Sequence, residues 1–168
     1  MCSIYTTDPS GQLNIEKKYN ILAKHNLYFY CVGSNMIVYI ANNLINDLKD
    51  KLLDPNHIIG FVEFYVDRFG DINVKLLNAN IKRKRIGHYL MIIVAYIAIK
   101  LNISEINLEN ASGINNYYSD IGCVYDHIGL PEMTCNPQTM LATFTQLEEK
   151  LKTSNNQYFT NFKKRKLS

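Results

Sequence analysis

The chain has 168 residues, 47% of them hydrophobic and 20% charged, enough for one domain that buries about two-thirds of its unfolded surface and too apolar for a disordered chain. Its formal charge of +3 is concentrated in two runs, Lys82-Arg83-Lys84-Arg85 and Lys163-Lys164-Arg165-Lys166. The rest of the chain is therefore net acidic, which argues against a general basic surface for nucleic acid.

The opening MCSIYTTDPSGQLN has no basic region followed by an apolar one, so it is not read as a secretory signal. The apolar run Tyr89 to Ile99 is shorter than the roughly 20 residues that a bilayer span requires. Cys2, Cys31, Cys123 and Cys135 show no C-x-x-C spacing. The expectation is reduced thiols, no zinc, and an intracellular protein, cytoplasmic or nuclear.

In chain order, residues 27–41, LYFYCVGSNMIVYIA, read as two strands turned at Gly33-Ser34-Asn35, with Tyr28-Phe29-Tyr30 as strand core rather than a base-stacking platform. Leu44, Leu48 and Leu52 have helical spacing, so 44–53 is expected to be a short amphipathic helix stopped by Asp54-Pro55-Asn56. A second hairpin runs from HIIGFVEFYVD through RFG into DINVKLLNAN, apolar on both faces as in a covered sheet.

Ile86 to Leu101 has apolar residues around its whole circumference, which predicts a helix buried on several sides. SEINLEN follows as a strand, so the unit is a crossover between parallel strands. GINNYYSDIG reads as a short helix closed by Gly122, and Pro137 to Phe162 as mostly helical. Residues 1–162 are expected to form one domain, with 163–168 a basic tail.

The junction at 80–88 concentrates the chemistry. A helix that starts after a strand offers free N–H groups and about half a positive charge, a ready anion site. Lys82 to Arg85 in its first turn oppose that dipole, and Gly87 removes a Cβ where a ligand would approach the backbone. An anion to bind and a merely solvated turn are equally weighted on these grounds.

Hairpin, Lys82-Arg83-Lys84-Arg85-Ile86-Gly87, long apolar helix, strand, and then Tyr118 four residues before Gly122-Cys123 together resemble a GCN5-related N-acetyltransferase (GNAT) over residues 57–126. That family carries [Gln/Arg]-x-x-Gly-x-[Gly/Ala] at its pyrophosphate loop. Lys82 takes the first place, Arg85 the first Gly place and Gly87 the second. Arg85 and Lys82 depart from the pattern, and Cys123 stands where the family has Phe.

The resemblance implies an α/β (α+β) fold with a mixed central sheet and helices on both faces, the C-terminal helix replacing the last strands. It implies transfer of an acetyl group from acetyl-CoA (coenzyme A) to a primary amine of unknown identity. The cofactor side would be Lys82, Arg83, Lys84, Arg85, Ile86, Gly87 and His88, with Leu77 N–H on the thioester carbonyl and Asn110 or Asn115 on pantetheine amides. Tyr118 would donate to the departing sulfur. Glu109 and Glu63 are the candidate bases, and His25, His57 and His127 are given no role. The alternative is a catalytically silent GNAT-like binding or adaptor protein, nuclear or nucleic-acid-associated through Lys163–Lys166. No membrane partner is expected, and an oligomer is left open.

Overall fold

The computed structural model describes residues 26–81, 86–111 and 117–154. Strands β1 (Asn26–Val32) and β2 (Asn35–Ala41) form the first hairpin, turned at Gly33–Ser34 as the sequence predicts. β2 pairs antiparallel with β3 (Ile58–Val66), and β3 with β4 (Ile72–Ala79). The turn between β3 and β4 is built by Asp67. Its Oδ1 accepts the Phe69 N–H at 2.8 Å and the Asp71 N–H at 3.1 Å, and its Oδ2 accepts Asn73 Nδ2 at 2.7 Å.

Period-two alternation sorts the sheet into two faces. Met36, Val38 and Ile40 of β2 join Val62 and Phe64 of β3 in the larger core. Ile37, Tyr39 and Ala41 join Phe61 on the opposite face, where helix α1 (Leu48–Lys51) adds Leu48. Helix α1 is one turn, shorter than the 44–53 expected. Leu44 is exposed, and the Ile45 N–H donates to the Tyr39 hydroxyl at 3.2 Å, a bond the chain makes instead of a helical one.

Helix α2 (Ile86–Lys100) lies on the first face against β3 and β4, with helix α3 (Pro137–Ser154) against its other side. That double contact is why its apolar residues need no polar stripe. Its C-terminus closes with Asn102 at φ 56°, the Asn102 N–H on Ile99 O at 3.1 Å and the Ile103 N–H on Ala98 O at 2.8 Å. This paired closure satisfies two carbonyls that the helix end would leave bare.

The crossover then delivers β5 (Ile106–Glu109) parallel to β4, as expected. Between Gly122 and Pro137 the sequence reading finds no strands, with the helix from Pro137 replacing them. The structure has two: β6 (Val124–Tyr125) and β7 (Glu132–Cys135). β7 pairs with β5 and β6 with β7, giving the order β1-β2-β3-β4-β5-β7-β6. Helix α3 follows these strands. Asn136 caps it, accepting the Thr139 N–H at 3.0 Å, and Pro137 takes the first helical position.

The thiols also depart from expectation. Cys123 and Cys135 stand opposite one another, one residue beyond the Val124–Thr134 pair, with Cα atoms 4.3 Å apart, and they are disulfide-bonded. Cys31 is disulfide-bonded as well, so no described cysteine is free. Among the described residues no group of His, Cys, Asp and Glu is arranged to hold a metal, and no helix is long and apolar enough to cross a membrane.

Candidate functional site

β4 and β5 are paired at only two positions, Ile72–Ile106 and Asn73–Asn107. Beyond these the two parallel strands part. β4 runs on to Ala79 beside β3, while β5 turns to pair with β7. The parting begins just before a β-bulge. Glu63 pairs with Leu76 and Phe64 with Val74, so Lys75 is an extra residue in β4.

Past the bulge, the Asn80 N–H donates to Ile59 O on β3 at 2.8 Å. Two-residue alternation back from Asn80 turns the amides of Asn78 and Leu76 toward β3. It turns the amide of Leu77 toward the gap. Leu77 thus offers a main-chain donor where no strand pairs with it among the described residues.

A cavity of about 430 Å³ lies over the gap. Asn73, Val74 and Lys75 line it from β4, Asn107, Leu108 and Glu109 from β5, with Tyr65, Ala111, Asp126, Glu132 and Met133 around them. Val74 and Leu108 belong to the α2 face, whereas Asn73 and Asn107 alternate with them onto the other. Thr134 Oγ1 lies 3.1 Å from Asn107 Oδ1 and 2.7 Å from Asp126 Oδ1, with one proton to give.

At the far side of the gap stands the start of α2, and it is covered. Tyr117 lies on Gly87 so closely that a Cβ there would overlap its hydroxyl, and the Leu77 side chain is the next neighbour. The space expected to admit a ligand at Gly87 is taken by this phenol. His88, expected at the cofactor side or in solvent, is buried. Its Nε2–H donates to Tyr117 O at 2.6 Å, and the two rings lie 4.4 Å apart. Tyr118 meets Tyr117 edge-on at 5.0 Å between centroids and packs against the main core. Burial drives the phenol of Tyr117 far above its usual range, with the neighbouring Tyr118 adding to it, and burial raises that of Tyr118 too. The short helix expected around these tyrosines is described only as a 3-10 turn, Ser119–Ile121, closed by Gly122 at φ 87°.

The structure therefore brings Leu77, Ile86, Gly87 and His88 to one junction and Tyr118 beside it, while Glu109 lies in the cavity wall. Lys82, Arg83, Lys84, Arg85, Asn115 and the basic tail lie outside the described residues. Glu63 is held at 2.9 Å by Asn35 Nδ2, with Lys75 Nζ at 3.8 Å, and does not line the cavity. Asn110 is buried, its Nδ2 donating to the Tyr125 hydroxyl at 2.9 Å. Sequence reasoning overlooked the polar wall Asn73, Asn107, Asp126 and Glu132. Its signal was present in β4 and β5, where Asn73, Asn107 and Glu109 interrupt apolar strands at alternate places.

No protein-family model and no curated protein matches the chain. Among solved structures it is similar to a GNAT family acetyltransferase from Elizabethkingia anophelis with acetyl-CoA bound. That likeness has 13% identity and TM-score 0.48, covering 67% of this chain and 98% of that one. An acetyltransferase of GNAT family from Staphylococcus aureus Mu50 gives 17%, TM-score 0.47 and 78% of each chain. Tetrahymena GCN5 gives 16%, TM-score 0.45, and 62% of this chain against 69% of that one. At these values the likeness assigns no activity, cofactor or residue role.

Proposed function

We propose that the chain is an acyl-CoA-dependent N-acyltransferase of GNAT type, moving an acetyl group from acetyl-CoA to a primary amine, with residues 1–162 as its domain and 163–168 a basic tail. The observation that carries this reading is the parting of β4 from β5 beside the start of α2, with the Leu77 amide turned into the gap. The donors of the junction suit such a molecule: the Leu77 N–H for a carbonyl, and the Tyr117 hydroxyl, which covers the positive end of α2, for an anion. Bound acetyl-CoA would supply a thioester carbon open to attack by an amine, with coenzyme A released as a thiol.

In this reading Lys82, Arg83, Lys84 and Arg85 hold the diphosphate through main-chain amides and cationic side chains, and Ile86, Gly87 and His88 through main-chain amides alone once the Tyr117 phenol moves off Gly87. Asn115 bonds the pantetheine arm. The Leu77 N–H stabilises the oxygen that gains charge during transfer, the contact with most leverage in acyl chemistry. Glu109 takes a proton from the amine, which attacks only when neutral. Tyr118 gives a proton to the leaving sulfur, and burial keeps its phenol protonated at neutral pH.

Coenzyme A at about 100 times its dissociation constant should stabilise the chain by about 2.7 kcal/mol, roughly 5–10 °C in Tm. No shift with intact folding would remove the proposal. A shift without turnover on any amine would favour a silent binding protein. With turnover, Tyr118→Phe should lower kcat by about 10²-fold or less while leaving KM for acetyl-CoA within about twofold. The wild-type rate should show no loss from phenol ionisation until pH exceeds about 10. An alkaline limb near pH 8 that vanishes in Tyr118→Phe would refute the assignment.

A further inference from the structure

Resting on the transferase reading, we propose that Tyr117 is an autoinhibitory cover: its phenol occupies the place at Gly87 that the diphosphate needs, and the chain binds coenzyme A only by displacing it. A Cβ at Gly87 would overlap the Tyr117 hydroxyl and stand 2.9 Å from its Cζ, so the phenol fills the space over the main chain that the glycine leaves. The same position is 3.5 Å from Leu77 Cδ2, which sets the phenol between the start of α2 and the strand whose amide faces the gap. A ligand that reaches both donors passes through the volume Tyr117 holds.

The phenol is fastened in that place. His88 Nε2–H donates to Tyr117 O at 2.6 Å and fixes the main chain there, so rotation of the side chain is what frees Gly87. That rotation gives up the ring contact with His88 at 4.4 Å and the edge contact with Tyr118 at 5.0 Å. The hydroxyl suits an anion as a donor, yet from its present position it denies the anion the amides of α2. The cover therefore weakens apparent affinity in proportion to the fraction of chains in which it is open.

What displaces the cover follows from charge. Burial keeps the Tyr117 phenol protonated, so its occupancy brings no net charge to the positive end of α2. A diphosphate brings charge and gains a charge-assisted bond for each amide it reaches. Only a ligand with such a differential interaction shifts the equilibrium, so an uncharged pantetheine arm leaves the cover shut. Gly87 thus serves two occupants in turn, the phenol in the free chain and the diphosphate in the complex.

The experiment titrates coenzyme A by calorimetry into the full wild-type chain, Tyr117→Phe and Tyr117→Ala, each shown to be folded by circular dichroism. An open state populated at about 10% or less predicts that Tyr117→Ala binds about tenfold more tightly or better. Tyr117→Phe, which loses the hydroxyl and keeps the ring, should gain about threefold, and it carries the test alone if Tyr117→Ala does not fold. In the wild type, tetranitromethane should nitrate Tyr117 faster with saturating coenzyme A than without it, read by peptide mass spectrometry, and pantetheine should leave that rate unchanged. Equal or weaker binding by the folded variants, or nitration that coenzyme A slows or leaves alone, would overturn the inference while the transferase reading stood. Binding by the variants alone would uphold the cover and remove transfer by the wild type. No binding by any of the folded chains would overturn both.

Discussion

A methyl group at residue 87 would overlap the Tyr117 hydroxyl, and that oxygen cannot swing away freely, because His88 holds the Tyr117 carbonyl and lies tilted against its ring. Gly87→Ala should therefore cost about 1–3 kcal/mol in urea unfolding, the range for an overfilled site. Adding Tyr117→Ala should recover part of it, and independent, additive losses would refute the contact. The sequence showed Gly87 as a small residue at a helix start where a ligand would approach the backbone, and in the structure a side chain stands there instead. It did not show what approaches, because Tyr117 arrives from 30 residues further along the chain. At Gly122 the reading was more secure. A left-handed terminator was expected and φ is 87°, with Thr139 Cγ2 2.9 Å from where a Cβ would stand.

Among the elements, length separates what was legible from what was not. β3, β4 and α2 carry long apolar patterns, and each was read within a residue or two. β6 has two residues and β7 four, too few for alternation to register against their polar neighbours. They are strands because β5 offers an edge to β7 and because Cys123 is bonded to Cys135 across the pair. Closing a loop of that size removes about 3 kcal/mol of unfolded-state entropy in the chain-entropy model. Cys123→Ala with Cys135→Ala should lower Tm by several degrees. A strong reductant should lower the wild-type Tm by at least as much, and act further on the variant only through the bond of Cys31. An unchanged Tm in both would show that the pairing of β5, β6 and β7 needs no covalent tie.

For the molecule as a whole, three tyrosines whose phenols are raised by desolvation bear on its alkaline stability. Desolvation raises Tyr39, against a bond from the Ile45 amide, and raises Tyr117 and Tyr118 likewise. Each folded value lies above the unfolded one near 10, so the unfolded chain releases protons first as pH climbs. Their contribution is complete below about pH 10 and is lost above it. Tm should hold between pH 8 and about 9.5 with respect to these groups and then fall, less steeply in Tyr117→Phe; an identical fall in that variant would refute the assignment. The mixed sheet with helices on both faces was legible because two hairpins and one crossover dictate it.

The single unpaired residue in β4 has a consequence for how the site tolerates change in chain length. Lys75 absorbs a one-residue mismatch, so that Val74 before it and Leu77 after it both keep the face of their β3 partners Phe64 and Val62. Deleting it would close the ladder into regular alternation, with Leu77 still opposite Val62, and would remove the local bend and added twist that the bulge gives β4. A one-residue edit there would thus straighten β4 beside the gap without touching any residue that lines the junction on the helix side.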